Sequence, residues 1–146
     1  TPHNDAAIRG AFTGLGHESD STALAKAVVE GVAFAVRDSL EALRKAGTEL
    51  GRVTAVGGGS RSDYWLKVIA TTLNMPVDIP AEGDFGAAFG AARLGFIAAE
   101  GADPFFVCQP PLTERTIEPD AAFADAFANT YEIYKRHYPA IKGVQQ

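Results

Sequence analysis

The chain has 146 residues, 47% of them hydrophobic, and its 13 basic and 18 acidic side chains leave a formal charge of -5. That is enough chain for one domain with a real core, and it has no basic stripe for a nucleic acid or an anionic membrane surface. A single cysteine excludes an internal disulfide and fits a reducing, cytoplasmic setting, while no apolar run approaches the ~20 residues of a membrane helix.

Thr1 to Ala7 reads as loop, with Pro2 and Asn4 as its signals, and TPHNDAAIRG lacks the pattern of a signal peptide. A start on Thr in such a segment leads us to expect a fragment. Arg9 to Leu15 alternates Ala11, Thr13 and Leu15 and predicts a strand; His17 to Asp20 follows as a polar loop. Ser21 or Thr22 should then cap a long helix from about 23 to 46, stopped by Gly47. Its apolar stripe would be Leu24, Ala27, Val28, Val32, Ala35, Val36, Leu40 and Leu43, and Gly31 in its middle suggests close approach of another backbone.

The chain is organised around Arg52 to Leu73, RVTAVGGGSRSDYWLKVIATTL. Val53 to Val56 predict a short buried strand, Gly57, Gly58 and Gly59 a turn without side chains, and Trp65, Leu66, Ile69 and Leu73 a helix. Such a turn allows positive φ and lets a flat or charged ligand rest on main-chain N–H groups at a helix start. Residues 75–80 read as a strand fenced by Pro76 and Pro80, hence near a sheet edge. Asp84 would cap a glycine- and alanine-rich helix from Phe85 to Ala99, whose glycines suggest close packing on a neighbour. Gly101 to Glu118 reads as irregular, with Cys108 as a small buried hydrophobe. Pro119 would begin a final helix with Phe123, Phe127, Tyr131, Tyr134 and Tyr138 on one core or docking face, before a frayed tail from Lys142 to Gln146.

The succession is an α/β layer pattern, with a ligand expected at the carboxyl ends of the strands. No Lys-Ser or Lys-Thr pair follows the glycines, which excludes the usual P-loop. Gly57, Gly59 and Ser62 approximate a dinucleotide fingerprint, with Glu82 where a ribose-binding acid would stand, so an NAD-binding oxidoreductase domain stays open. His3, His17 and His137 have no metal-cage spacing, and Asp63, Asp78, Glu82 and Asp84 form no catalytic pair; Asp63 and Asp84 read equally as helix caps.

Three segments in order resemble the FGGY carbohydrate kinases: Gly10-Ala11-Phe12-Thr13-Gly14-Leu15 with Leu24, Ala27 and Glu30 after it; AVGGGSRSDYW; and GDFGAAFGAARLG. The likeness is to the C-terminal part of the xylulokinase branch and runs from Thr1 to about Tyr138. The family usually has a polar or acidic residue where this chain has Ala23. The resemblance implies part of a ribonuclease-H-like domain of the actin and hexokinase type, incomplete without upstream strands. Residues 1–20 would be the signature strand and loop, 21–101 the nucleotide-binding α/β portion, and 102–146 a loop and aromatic helix.

It further implies ATP-dependent phosphorylation of a ketose, D-xylulose to D-xylulose 5-phosphate, with Mg²⁺ and with the catalytic base on the upstream part of the same protein. Gly57, Gly58 and Gly59 would line the adenosine and α-phosphate. Ser60 and Arg61 would border the adenine or ribose, and Asp63 would lie where relatives place a polar contact to adenine. Gly10, Thr13 and Gly14 would face the interdomain cleft. We expect the missing central strands to leave apolar helix faces exposed and the fragment alone to be inactive. A non-catalytic interaction module with an actin-like half-fold, and a homodimer through the aromatic helix, also remain open.

Overall fold

The computed structural model describes residues 3–81 and 86–145. Its first regular element is α1, Ser21–Lys45. The cap is Asp20 rather than Ser21 or Thr22: its carboxylate accepts from the Ala23 N–H at 2.7 Å. Arg44 and Lys45 complement the last carbonyls, and Gly47, at φ +87°, turns the chain away.

Next come β1, Val53–Thr54; a 3₁₀ turn, Gly58–Arg61; α2, Asp63–Leu73; and β2, Val77–Pro80. After them follow α3, Gly86–Glu100; α4, Pro104–Val107; β3, Thr113–Ile117; α5, Ala124–Tyr134; and α6, His137–Gln145. The sheet order is β1-β2-β3, with β1 parallel and β3 antiparallel to β2. β2 is therefore central, not an edge as its prolines suggested. Pro76 precedes the strand, and Pro80 sits at the end of the ladder where the register to β3 breaks, so neither removes an essential donor.

The core forms where α2 lies on this sheet. Leu66 and Ala70 meet Val77 and Ile79, with Val53, Ala55, Ile69 and Ile117 around them. Alternation along β2 sends Val77 and Ile79 to that face and Asp78 to the other, where its carboxylate takes bonds from Arg52 Nε at 2.9 Å and Thr116 Oγ1 at 2.6 Å. α1 and α5 cover the far side of α2. There Phe34 sits among Phe127, Tyr131 and Tyr134 at centroid distances of 5.5–6.2 Å, and Tyr131 donates to Asp38 Oδ1 at 2.5 Å.

Several expectations are corrected. Residues 9–15 form no strand: a strand needs a neighbour to satisfy its backbone, and no described residue pairs with this segment as a ladder. On α1 the buried positions are Ala33, Phe34 and Leu40, while Val28, Val32, Val36 and Leu43 face outward. Nor does another described backbone approach Gly31; a Cβ there would meet nothing within 4 Å. The stretch taken as irregular holds α4 and β3, and Cys108 is exposed. The final helix starts at Ala124 and breaks before His137, with Phe123 exposed, Tyr131 buried and the other aromatic positions half-buried. The tail is helical to Gln145 rather than frayed, and it meets the opening segment, with Gln145 Oε1 accepting from the Arg9 N–H and Lys142 beside Asp5. Ser62, not Asp63, caps α2. The Asp84 cap, the Glu82 position and the start of the third predicted helix lie outside the described residues, as do Thr1, Pro2 and Gln146.

Candidate functional site

β1 delivers the chain to the glycine turn, with the Ala55 N–H still donating to Asp78 O at 2.9 Å. Gly57 then takes φ +85° and ψ -178°, a conformation that a side chain would strain. The turn closes on itself. Ser60 N–H and Oγ both donate to Gly57 O, at 3.0 and 2.7 Å, and Ser62 N–H donates to Gly59 O at 3.2 Å. Ser62 Oγ accepts from Trp65 N–H at 3.3 Å, which starts α2 directly behind the glycines.

The three glycines have different reasons to be glycine. Gly57 needs its dihedral angles, and Gly59 lies on the Trp65 indole, where a Cβ would come within 2.8 Å of Cζ3. Gly58 has neither constraint: a Cβ there would meet nothing within 4 Å, and the residue is exposed. Beside it, a Cβ on Gly86 would stand 2.7 Å from that of Val56, so α3 also begins against this corner.

Gly58, Gly59, Arg61, Ser62 and Asp63 are thus exposed together along one turn. Ser60, expected at the edge of the adenine or ribose, is buried with its hydroxyl spent on Gly57 O; Arg61 ends the turn on the exposed side. Asp63 pairs with Arg115 of β3 at 2.5 Å, and the hydrogen bond from that guanidinium holds the Asp63 carboxyl below the usual carboxylate range. Arg115 was hidden in the stretch read as irregular, because Thr113-Glu114-Arg115-Thr116-Ile117 is polar at four of its five positions and carries no apolar–polar alternation to mark a strand. The structure does not join Gly10, Thr13 and Gly14 to this surface. They form a second, exposed segment resting on α6, with Gly14 at φ +71° and Thr13 Oγ1 2.8 Å from His137 Nε2.

Residues 1–99, which span the signature segment, the glycine turn and nearly all of α3, match the C-terminal domain of the FGGY family of carbohydrate kinases. The chain belongs to that family. It is 37% identical over 139 residues to the xylulose kinase of Escherichia coli K12, covering 94% of this chain and 29% of that one. Among solved structures it is similar to a xyloylose kinase from Brucella ovis, at 63% identity and TM-score 0.86, over 99% of this chain and 30% of the other. A gluconate kinase from Lactobacillus acidophilus also matches, at 25% identity and TM-score 0.73, over 94% of this chain and 28% of the other.

This FGGY domain therefore spans under a third of the length of the relatives it matches. The mixed helix and sheet layers are those of FGGY kinase structures, in the actin and hexokinase group of ATPase folds. The dinucleotide reading is left without support, since the glycine turn and nearly all of α3 lie within the FGGY family match.

Proposed function

We propose that this FGGY domain supplies the ATP-binding elements of a cytoplasmic ketose kinase that converts D-xylulose to D-xylulose 5-phosphate, the upstream part of the same protein bringing the sugar site and the base. The observation that carries the reading is Gly58, an exposed glycine that its own fold does not require, on a turn at the start of α2. Bare main chain can lie flat against a ribose or α-phosphate, and the N–H groups at a helix start favour negative charge. Gly57 and Gly59 keep the turn in shape, and Asp63 brings a carboxylate to its edge for an amine of the base. Transfer of a γ-phosphoryl group needs alignment and charge neutralisation more than covalent help, so a domain of this kind contributes by fixing the nucleotide.

Phosphoryl transfer of this kind uses Mg²⁺, but the described residues contain no cluster of three His, Cys, Asp or Glu side chains able to hold a metal. D-xylulose is favoured by the kinases of that name among the relatives, while the likeness to a gluconate kinase makes the sugar the first thing to test.

The experiment is ADP release by the full-length protein with ATP and a panel of D-xylulose, D-gluconate, L-ribulose and glycerol. D-Xylulose should give the highest kcat/KM, and phosphorylation of none of the panel would sink the kinase reading. In the same protein Gly58→Ala should raise the KM for ATP about tenfold, as a methyl group holds the nucleotide off the turn. Stability should be unchanged or slightly higher. An unchanged KM would remove the glycine turn from the nucleotide site.

A further inference from the structure

The opening segment and the last helix, more than 120 residues apart in sequence, are fastened side chain by side chain. Gln145 Oε1 accepts from Arg9 N–H at 2.9 Å, and Tyr138 donates from its hydroxyl to Asp5 Oδ2 at 3.0 Å. His3 stacks on the Tyr138 ring, centroids 3.7 Å apart and planes within 8°, and Lys142 Nζ lies 3.5 Å from Asp5 Oδ2. The last link fixes a direction. His137 Nδ1 is 3.0 Å from Ile133 O, and a carbonyl only accepts, so Nδ1 carries the proton; in the neutral ring Nε2 then accepts from the Thr13 hydroxyl at 2.8 Å.

The segment holds itself only at its two ends, where Arg9 Nη1 donates to the carbonyls of Ala6, Ala7 and Ile8 and Gly16 N–H donates to Ser19 Oγ. Residues 6–16 include Gly10, Gly14 and Gly16 and join no helix or ladder, so a single conformation from Gly10 to Gly14 costs backbone entropy that contacts from outside help to offset. All these contacts come from α6, which lies beyond the stretch matching the family domain. A further one, from α1, is Asp38 Oδ2, 3.5 Å from His3 Nε2.

We propose that α6 is a clasp for the signature segment, with His137 and Tyr138 as positioning residues that hold Thr13 and Asp5 so that Gly10 to Gly14 keep one shape at the interdomain cleft. The role at the cleft rests on the kinase reading above; the clasp itself does not. Neither residue touches a substrate, and both act through the backbone they order.

The test is hydrogen exchange by mass spectrometry on the full-length protein, with steady-state kinetics alongside. His137→Phe keeps a flat ring but cannot accept from Thr13, and Tyr138→Phe keeps the stack but loses Asp5. Each should speed exchange over residues 6–15 by about fivefold, the effect of one net hydrogen bond. Exchange in α2 and β2 should not change, and kcat should fall severalfold. His137→Gln, whose amide oxygen can reach the position of Nε2, should restore part of both. Unchanged exchange in both variants would overturn the clasp. Faster exchange with unchanged kcat would overturn the positioning role. Because exchange is read without any substrate, a protein that phosphorylates no ketose would fail the kinase reading without obscuring the clasp.

Discussion

α2 places Leu66, Val68, Ala70 and Leu73 between the sheet and α1, whereas α3, which carries Phe89, Leu94, Phe96 and Ile97, buries none of its residues. The apolar residues of α2 keep to faces that have neighbours. Those of α3 are spread around the helix: Phe89 and Phe96 lie on one side, and Leu94 lies well over 90° away at 100° per residue. A helix apolar all round belongs inside something larger. Much of α1 tells the same story, since Val28, Val32 and Val36, one helical turn apart, point outward. The two regions therefore have different sources of stability. α2 draws on partners within the described chain, and α3 has no such cover among the described residues of a chain that spans about 29% of the length of a relative it matches.

The sharpest test compares two leucines in two settings. Leu66, 2% exposed, should cost about 2–5 kcal/mol on Leu66→Ala wherever the domain folds, by lost transfer energy and the cavity left behind. Leu94, 66% exposed here, should cost no more than about 0.5 kcal/mol on Leu94→Ala in the 146-residue chain. In the full-length protein the same substitution should cost about 2 kcal/mol or more. Urea unfolding of the four proteins would decide, and equal small losses at Leu94 in both settings would mean that nothing covers α3.

How much could be read from the sequence divides along the same line. α1, the glycine turn, α2 and α3 were legible because capping, positive-φ glycine and helical spacing are local, and local signals survive without neighbours. What failed depended on partners. Arg9 to Leu15 has a strand's alternation and no ladder to join, while β3 joins one but hides in a run broken by Pro110 and Pro111. The outward face of α1 has the period of a buried stripe, because periodicity shows that a face is apolar and not when it will be covered. Of the site, the turn from Gly57 to Asp63 was legible as one unit. The partners that position it were not, since Arg115 and the Trp65 indole reach it only through the fold.

A second test concerns the aromatic layer, where packing and polarity meet. Tyr131 is 3% exposed, and burial and then the Asp38 carboxylate push its hydroxyl's pKa well up, so the proton stays on and the bond to Asp38 is kept. Tyr131→Phe keeps the ring against Phe34 and leaves one Asp38 oxygen short of a donor, although His3 remains near the other. The expected loss is about 1–2 kcal/mol, smaller than at Leu66 because the packing stays. No loss in denaturant unfolding would mean that water replaces the hydroxyl without cost, and that this side of α2 is less dry than the sheet side.

The smallest effect on stability is expected at the edge of the glycine turn proposed to hold the nucleotide. Arg115 and Asp63 are both largely exposed, 44% and 68% by side chain, so Arg115→Ala should leave the unfolding midpoint in place. It should appear instead in the titration of Asp63, followed by carboxyl NMR. With its folded pKa depressed by Arg115, the pair contributes above about pH 4 and is lost as pH falls through that lower pKa; in the variant Asp63 should titrate near its ordinary value. An unmoved titration would show that the guanidinium does not hold the carboxylate in solution. The pair also bears on the site's charge. An uncompensated carboxylate at the rim would repel a nucleotide's phosphates, and Arg115 cancels that charge while leaving a carboxylate oxygen for an amine. Removing the guanidinium should therefore raise the KM for ATP more at low salt than at high salt, a dependence that the uncharged change at Gly58 should not show.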